Sequence, residues 1–84
     1  MSEKLILPEI RDEVVRSFDE LFFITVTPSD RISDLALDSL DFLSLVQLLE
    51  QKFEISIPDR IFAKEITVSD LVSLVSRKLD QKQV

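Results

Sequence analysis

Asp38-Ser39-Leu40-Asp41-Phe42-Leu43-Ser44-Leu45-Val46-Gln47-Leu48-Leu49-Glu50-Gln51-Lys52-Phe53 is the most strongly helical run in the chain. Asp38 has the side chain of a helix N-cap, because its carboxylate can accept from first-turn amides that have no intrahelical partner. Beyond it Phe42, Leu45, Val46, Leu49 and Phe53 recur at helical spacing, while Leu40, Leu43 and Leu48 widen the apolar surface past a single stripe. The pattern predicts a helix over Ser39 to Phe53 that is central to the fold, or that offers part of its apolar face to a partner.

Upstream, Ile10, Val14, Phe18, Leu21 and Phe22 recur at spacings of four and three, and Glu9, Arg11, Asp12, Glu13 and Arg16 fill the other face. This predicts an amphipathic helix starting near residue 7 or 8, where Pro8 suits the first turn. Ile24 to Asp30 is β-branched and then turn-rich, and Pro28 disfavours helical geometry at Thr27, so the chain leaves the helix here. A long loop follows, with a short helical turn around Arg31 to Leu35 pinned to the core by Ile32 and Leu35.

Downstream, Glu54 to Asp59 alternates like a strand but ends at Pro58, and is expected to be an extended connector into a brief helix over Asp59 to Lys64. Thr67 and Asp70 form a pair resembling a capping box ahead of Leu71, Val72, Val75 and Leu79. The last helix should fray over Gln81 to Val84. No repeat or linker divides the chain, and 84 residues suit a single domain over 1–84.

Composition narrows the function. Histidine and cysteine are absent, which removes the usual general base, thiol nucleophile and zinc ligands. Without glycine neither a Walker loop nor a dinucleotide fingerprint can be built, since their backbones must approach phosphate closely. Sixteen acidic residues against ten basic ones give a formal charge of −6. That surface repels nucleic acid and attracts proteins with basic patches, although solubility alone also accounts for it. Leu5, Ile6 and Leu7 are too short a run for a signal-peptide core, and no stretch reaches membrane-spanning length, so a cytoplasmic location is expected.

At Leu35-Ala36-Leu37-Asp38-Ser39-Leu40-Asp41 a hydroxyl sits where a loop meets the positive end of a helix. Taken alone, Ser39 is also what any first-turn serine beside a cap looks like. The continuation is more specific. Asp38-Ser39-Leu40, the apolar helix to Phe53, Ile55, the Ile57-Pro58-Asp59 turn and Ile66-Thr67-Val68 before a last amphipathic helix resemble the acyl carrier protein family. The resemblance runs over about residues 30 to 79, with a compatible first helix before it.

This resemblance implies an all-α fold: an acyl-carrier-like bundle of three main helices plus one short helix, with a long loop between helices one and two. It implies a free-standing carrier that catalyses nothing itself; the sequence leaves the oligomeric state open, and a monomer is expected because a mobile acidic carrier is more useful as one. It places the family's covalent 4′-phosphopantetheine on Ser39, attached from coenzyme A by a magnesium-dependent phosphopantetheinyl transferase. The arm's thiol would hold acyl intermediates as thioesters for fatty acid, lipid or polyketide synthesis. Partners would be acyl-synthesis or acyl-transfer enzymes with basic patches, met by Asp38, Asp41, Glu50 and Asp59.

Leu45, Val46, Leu49 and Phe53 are candidates to line a pocket for cargo, but at helical spacing such residues are more often simply core. Ser44, Gln51, Lys52, Arg60 and Ala63 stand where the family often carries acids. Phe42 is a large aromatic just past the serine, and Leu37 precedes Asp38 with no glycine before it. These departures point to a dedicated pathway rather than ordinary fatty acid synthesis. A discrete aminoacyl, aryl or peptidyl carrier would use the same serine. A helical adaptor with Ser39 unmodified would use only the apolar face of residues 40 to 49.

Overall fold

A computed structural model describes residues 7–58, 60 and 65–82. The first helix, α1, spans Leu7–Phe22, with Pro8 in its first turn as expected. Its apolar stripe goes inward: Ile10, Val14 and Phe18 are buried, and Leu21 and Phe22 are half-buried against the same core. Ser17 is a buried polar residue in this helix, and its Oγ donates to the Glu13 carbonyl at 2.8 Å, so the hydroxyl is satisfied. The helix closes at Phe23, whose amide donates to the Asp19 carbonyl at 2.9 Å with φ 58°.

The loop from residue 24 to 38 contains a 3-10 helix, Ile32–Leu35, inside the predicted turn. Ile32 is buried and Leu35 half-buried, so both pin the loop as their spacing requires. The second helix, α2, spans Ser39–Phe53, and the third, α3, spans Val68–Lys82. Among the described residues there is no strand; an isolated bridge joins Arg31 and Thr67. Residues 55–58 form neither helix nor strand, and Ile57 is buried. The brief helix expected over Asp59 to Lys64 lies outside the described residues apart from Arg60, as do residues 1–6.

The start of α3 shows how the loop is held. Thr67 and Asp70 make the predicted reciprocal pair: Thr67 N donates to Asp70 Oδ2 at 3.0 Å and Asp70 N to Thr67 Oγ1 at 3.1 Å. Val68 N donates to the Asp30 carbonyl and Ser69 N to the Pro28 carbonyl, both at 2.9 Å. Leu71 N reaches the Thr67 carbonyl at 3.2 Å. The amides that every helix leaves unpaired at its start are thus all satisfied, partly by the distant loop. Ile32 N adds a bond to the Ile66 carbonyl at 2.9 Å.

The other end of α3 corrects an expectation. Of the stretch expected to fray, Gln81 and Lys82 are helical and residues 83–84 lie outside the described residues; Lys82 Nζ donates to the Phe53 carbonyl at 3.5 Å. That carbonyl lies in the last turn of α2, where acceptors lack intrahelical donors, so a lysine from α3 supplies one.

The core is where the three helical stripes meet. Val14 and Phe18 of α1, Leu45 and Leu49 of α2, and Leu71 and Val75 of α3 are fully buried. Burying a side chain of this size contributes about 1.5–3 kcal/mol, so these positions outweigh any surface contact in the bundle. Leu45, Val46, Leu49 and Phe53 all belong to this cluster and serve as core.

Candidate functional site

The chain approaches Ser39 through a controlled sequence of backbone states. After the 3-10 helix Ala36 takes the left-handed conformation, φ 57° and ψ 36°. Asp38 is then extended, φ −94° and ψ −178°, and α2 begins at Ser39. The left-handed step falls on Ala36, in a chain with no glycine to put there.

Asp38 caps the helix as its type predicts. Its Oδ1 accepts from Asp41 N at 2.9 Å, and Asp41 Oδ2 accepts in return from Asp38 N at 3.1 Å. This is a complete capping box with aspartate in the place of the usual glutamate. The sequence signal was the same three-residue spacing that revealed Thr67 and Asp70, but at Asp38 only the single cap was expected. Phe42 N donates to the Asp38 carbonyl at 3.1 Å.

Ser39 sits inside this box without being used by it. Its side chain is exposed, and its hydroxyl makes no hydrogen bond among the described residues. The amides of Ser39 and Leu40 likewise have no acceptor among the described residues. An exposed, unengaged hydroxyl beside free amides at the positive end of a helix can accept a phosphate ester, whose oxygens the amides and helix dipole favour. The residues present therefore fit a covalent phosphopantetheine.

The apolar side chains next to the serine divide into two sets. Phe42 is half-buried against the core, whereas Leu40 is 72% exposed and Leu43 is also exposed. Leu40 and Leu43 thus leave an apolar contact free beside Ser39.

The acids expected to meet partners also serve local hydrogen bonds. Asp38 and Asp41 are turned to each other's amides, and Glu50 Oε2 accepts from Ile57 N at 2.8 Å. Asp59 lies outside the described residues. Lys52 is only 18% exposed, with Nζ 3.1 Å from Glu20 Oε1 and 3.8 Å from Glu13 Oε1. It ties α2 to α1, a role invisible in sequence because both acids lie far upstream. Ser44 and Gln51 are exposed neutral residues on α2, Arg60 is exposed, and Ala63 is outside the described residues. No group of His, Cys, Asp and Glu that could hold a metal ion occurs among the described residues.

A helix bundle with an exposed serine in the first turn of a capped helix has a hydroxyl placed where a group could be attached. Residues 16–75 match the family described as phosphopantetheine attachment site. The acyl carrier protein of Campylobacter fetus subsp. fetus is 39% identical over 70 residues, covering 83% of this chain and 91% of its own. That of Picosynechococcus is 44% identical over 55 residues, covering 64% and 68% respectively. Among solved structures, the solution structure of the acetyl actinorhodin acyl carrier protein from Streptomyces coelicolor is 26% identical with a TM-score of 0.64. The match covers 98% of this chain and 99% of that one. The chain belongs to the acyl carrier protein family, whose members are carriers rather than enzymes and hold 4′-phosphopantetheine covalently.

Proposed function

We propose that Ser39 bears the phosphopantetheine and that the chain, acting as one carrier domain over residues 1–84, delivers acyl intermediates between enzymes of a dedicated pathway in the cytoplasm. The observation that carries this reading is the exposed Ser39 hydroxyl, free of hydrogen bonds among the described residues and bracketed by the Asp38 and Asp41 capping box. When bound, the arm supplies a thiol that holds acyl groups as thioesters, chemistry the cysteine-free chain lacks. The protein's own contribution is positional. Ser39 Oγ becomes the ester oxygen, the capping box holds the first turn of α2 rigid around it, and Leu40 and Leu43 offer apolar contact to a docking enzyme.

A phosphopantetheinyl transferase using coenzyme A would be the first partner, and acyl-loading and acyl-transfer enzymes with basic patches would follow. A dedicated pathway is supported by the thin acidic field on α2. Between Ser39 and Phe53 the acids are Asp41 and Glu50 alone, with neutral Ser44 and Gln51 at exposed positions. Efficient elongation on this carrier by general fatty-acid synthase enzymes would contradict that part.

The attachment is tested by intact mass after incubation with coenzyme A, magnesium and a broad-specificity phosphopantetheinyl transferase active on a control carrier. Wild type should gain the mass of one arm and Ser39→Ala should gain none. No gain in wild type, or a gain in Ser39→Ala, would overturn the assignment. Leu40 and Leu43 would then be left as a docking face without a modified serine.

A further inference from the structure

We infer that the C-terminal end of α1 is a second protein-docking surface, with Phe23 as its anchor and a partner that presents an apolar pocket bordered by arginine or lysine. Phe23 is 87% exposed. With Leu21, Phe22 and Ile24, all half-buried, it forms a run of large apolar side chains of which none is fully buried. Phe22 packs its ring against Phe18 at a centroid distance of 6.3 Å, whereas Phe23 is left to solvent.

The backbone makes this placement costly for the isolated chain. Phe23 closes α1 at φ 58°, a conformation that glycine or asparagine adopts more readily than an aromatic residue. Glu54 ends α2 in the same left-handed state, so the conformation is an ordinary helix ending, but it gives no reason for a large exposed aromatic residue at position 23.

Charge points to the same place. α1 holds five acidic and two basic residues, a net −3 that is half of the chain's −6. Its last turn carries Asp19 and Glu20 and no basic residue, against the sign that the helix dipole favours there. Glu20 is committed to Lys52, whereas exposed Asp19 makes no ion pair among the described residues. An exposed aromatic side chain at the acidic end of a helix is complementary to an apolar pocket bordered by basic residues, and aromatic anchors dominate such contacts. A second copy of this acidic chain or an anionic bilayer would meet like charge instead. The surface lies on a different helix from Leu40 and Leu43 and does not depend on modification of Ser39.

The test is photo-crosslinking of the full chain carrying Phe23→benzoylphenylalanine in the cells that make it, with exposed Ser73 of α3 replaced in the same way as control. The expected adduct joins position 23, but not position 73, to a different protein through a peptide from an apolar pocket bordered by lysine or arginine. That protein, purified, should bind Phe23→Gly about 10-fold more weakly than wild type and Asp19→Asn more weakly as well. Ser39→Ala should bind as wild type does. Phe23→Gly keeps the left-handed backbone, so its melting temperature should hold or rise while binding falls. An adduct only with a second copy or with lipid, no protein adduct specific to position 23, or undiminished binding by Phe23→Gly would each overturn the inference.

Discussion

Replacing Ala36 by glycine should stabilise the protein, an unusual direction for a substitution that removes a side chain. Ala36 sits at φ 57° and ψ 36°, in the left-handed region. There Cβ crowds the following carbonyl at a cost of about 1–2 kcal/mol, which Ala36→Gly removes. Against this, glycine loses more conformational freedom on folding, about 0.5–1 kcal/mol relative to alanine. The middle of each range leaves about 0.75 kcal/mol of net stabilisation, or a rise in Tm of roughly 3–6 °C for a domain of this size. Thermal unfolding followed by circular dichroism, with a urea titration at one temperature, reads both quantities. Gln47→Gly, exposed in the interior of α2, is the control and should lose about 0.5 kcal/mol. An unchanged or lower Tm for Ala36→Gly would refute the claim that this residue is held against its preference.

Lys52→Met should destabilise by up to about 1 kcal/mol, because its ion pairs to Glu13 and Glu20 are partly exposed. Comparing wild type and variant by urea denaturation at low and high salt checks this; the gap should narrow as salt screens the pairs. Asp38→Ala breaks the capping box at Ser39 and should cost about 1 kcal/mol, whereas Asp38→Asn keeps an acceptor and should cost less, as measured by urea midpoints. Leu49→Ala opens the middle of the core and should cost about 2–5 kcal/mol, while Leu40→Ala, largely exposed, should change the unfolding midpoint little.

What could be read from sequence was local. The α2 boundaries follow from Asp38 and the apolar repeat to Phe53, and the start of α3 from Thr67 and Asp70, because each signal and its consequence lie within one helical turn. The 3-10 helix was legible through Ile32 and Leu35 for the same reason. The position of Ser39 at a helix start was likewise readable, but its lack of hydrogen-bond partners required coordinates. Tertiary pairing hid the rest. Glu50 looked like a surface acid until the chain folded Ile57 N onto it, and Lys52 looked like a departure until α1 supplied two carboxylates. Lys82 reads as part of a fraying end unless the Phe53 carbonyl is known to lie beside it. Phe23 falls outside the stripe from Ile10 to Phe22, at the helical spacing of Asp12, Arg16 and Asp19, so its exposure follows the period of α1, whereas its left-handed backbone required coordinates.

The way α3 begins bears on the order in which the molecule assembles. Its first amides are satisfied by the carbonyls of Pro28 and Asp30, which are remote in the chain. The Thr67 and Asp70 pair can form as soon as a nascent turn appears, but Val68 and Ser69 must wait until the loop has been laid across them. Closing that long segment costs chain entropy before any bond rewards it. The first turn of α3 and the 24–38 segment should therefore lock in a single late event, and in the native state open and exchange their amide hydrogens together, as one cooperative unit.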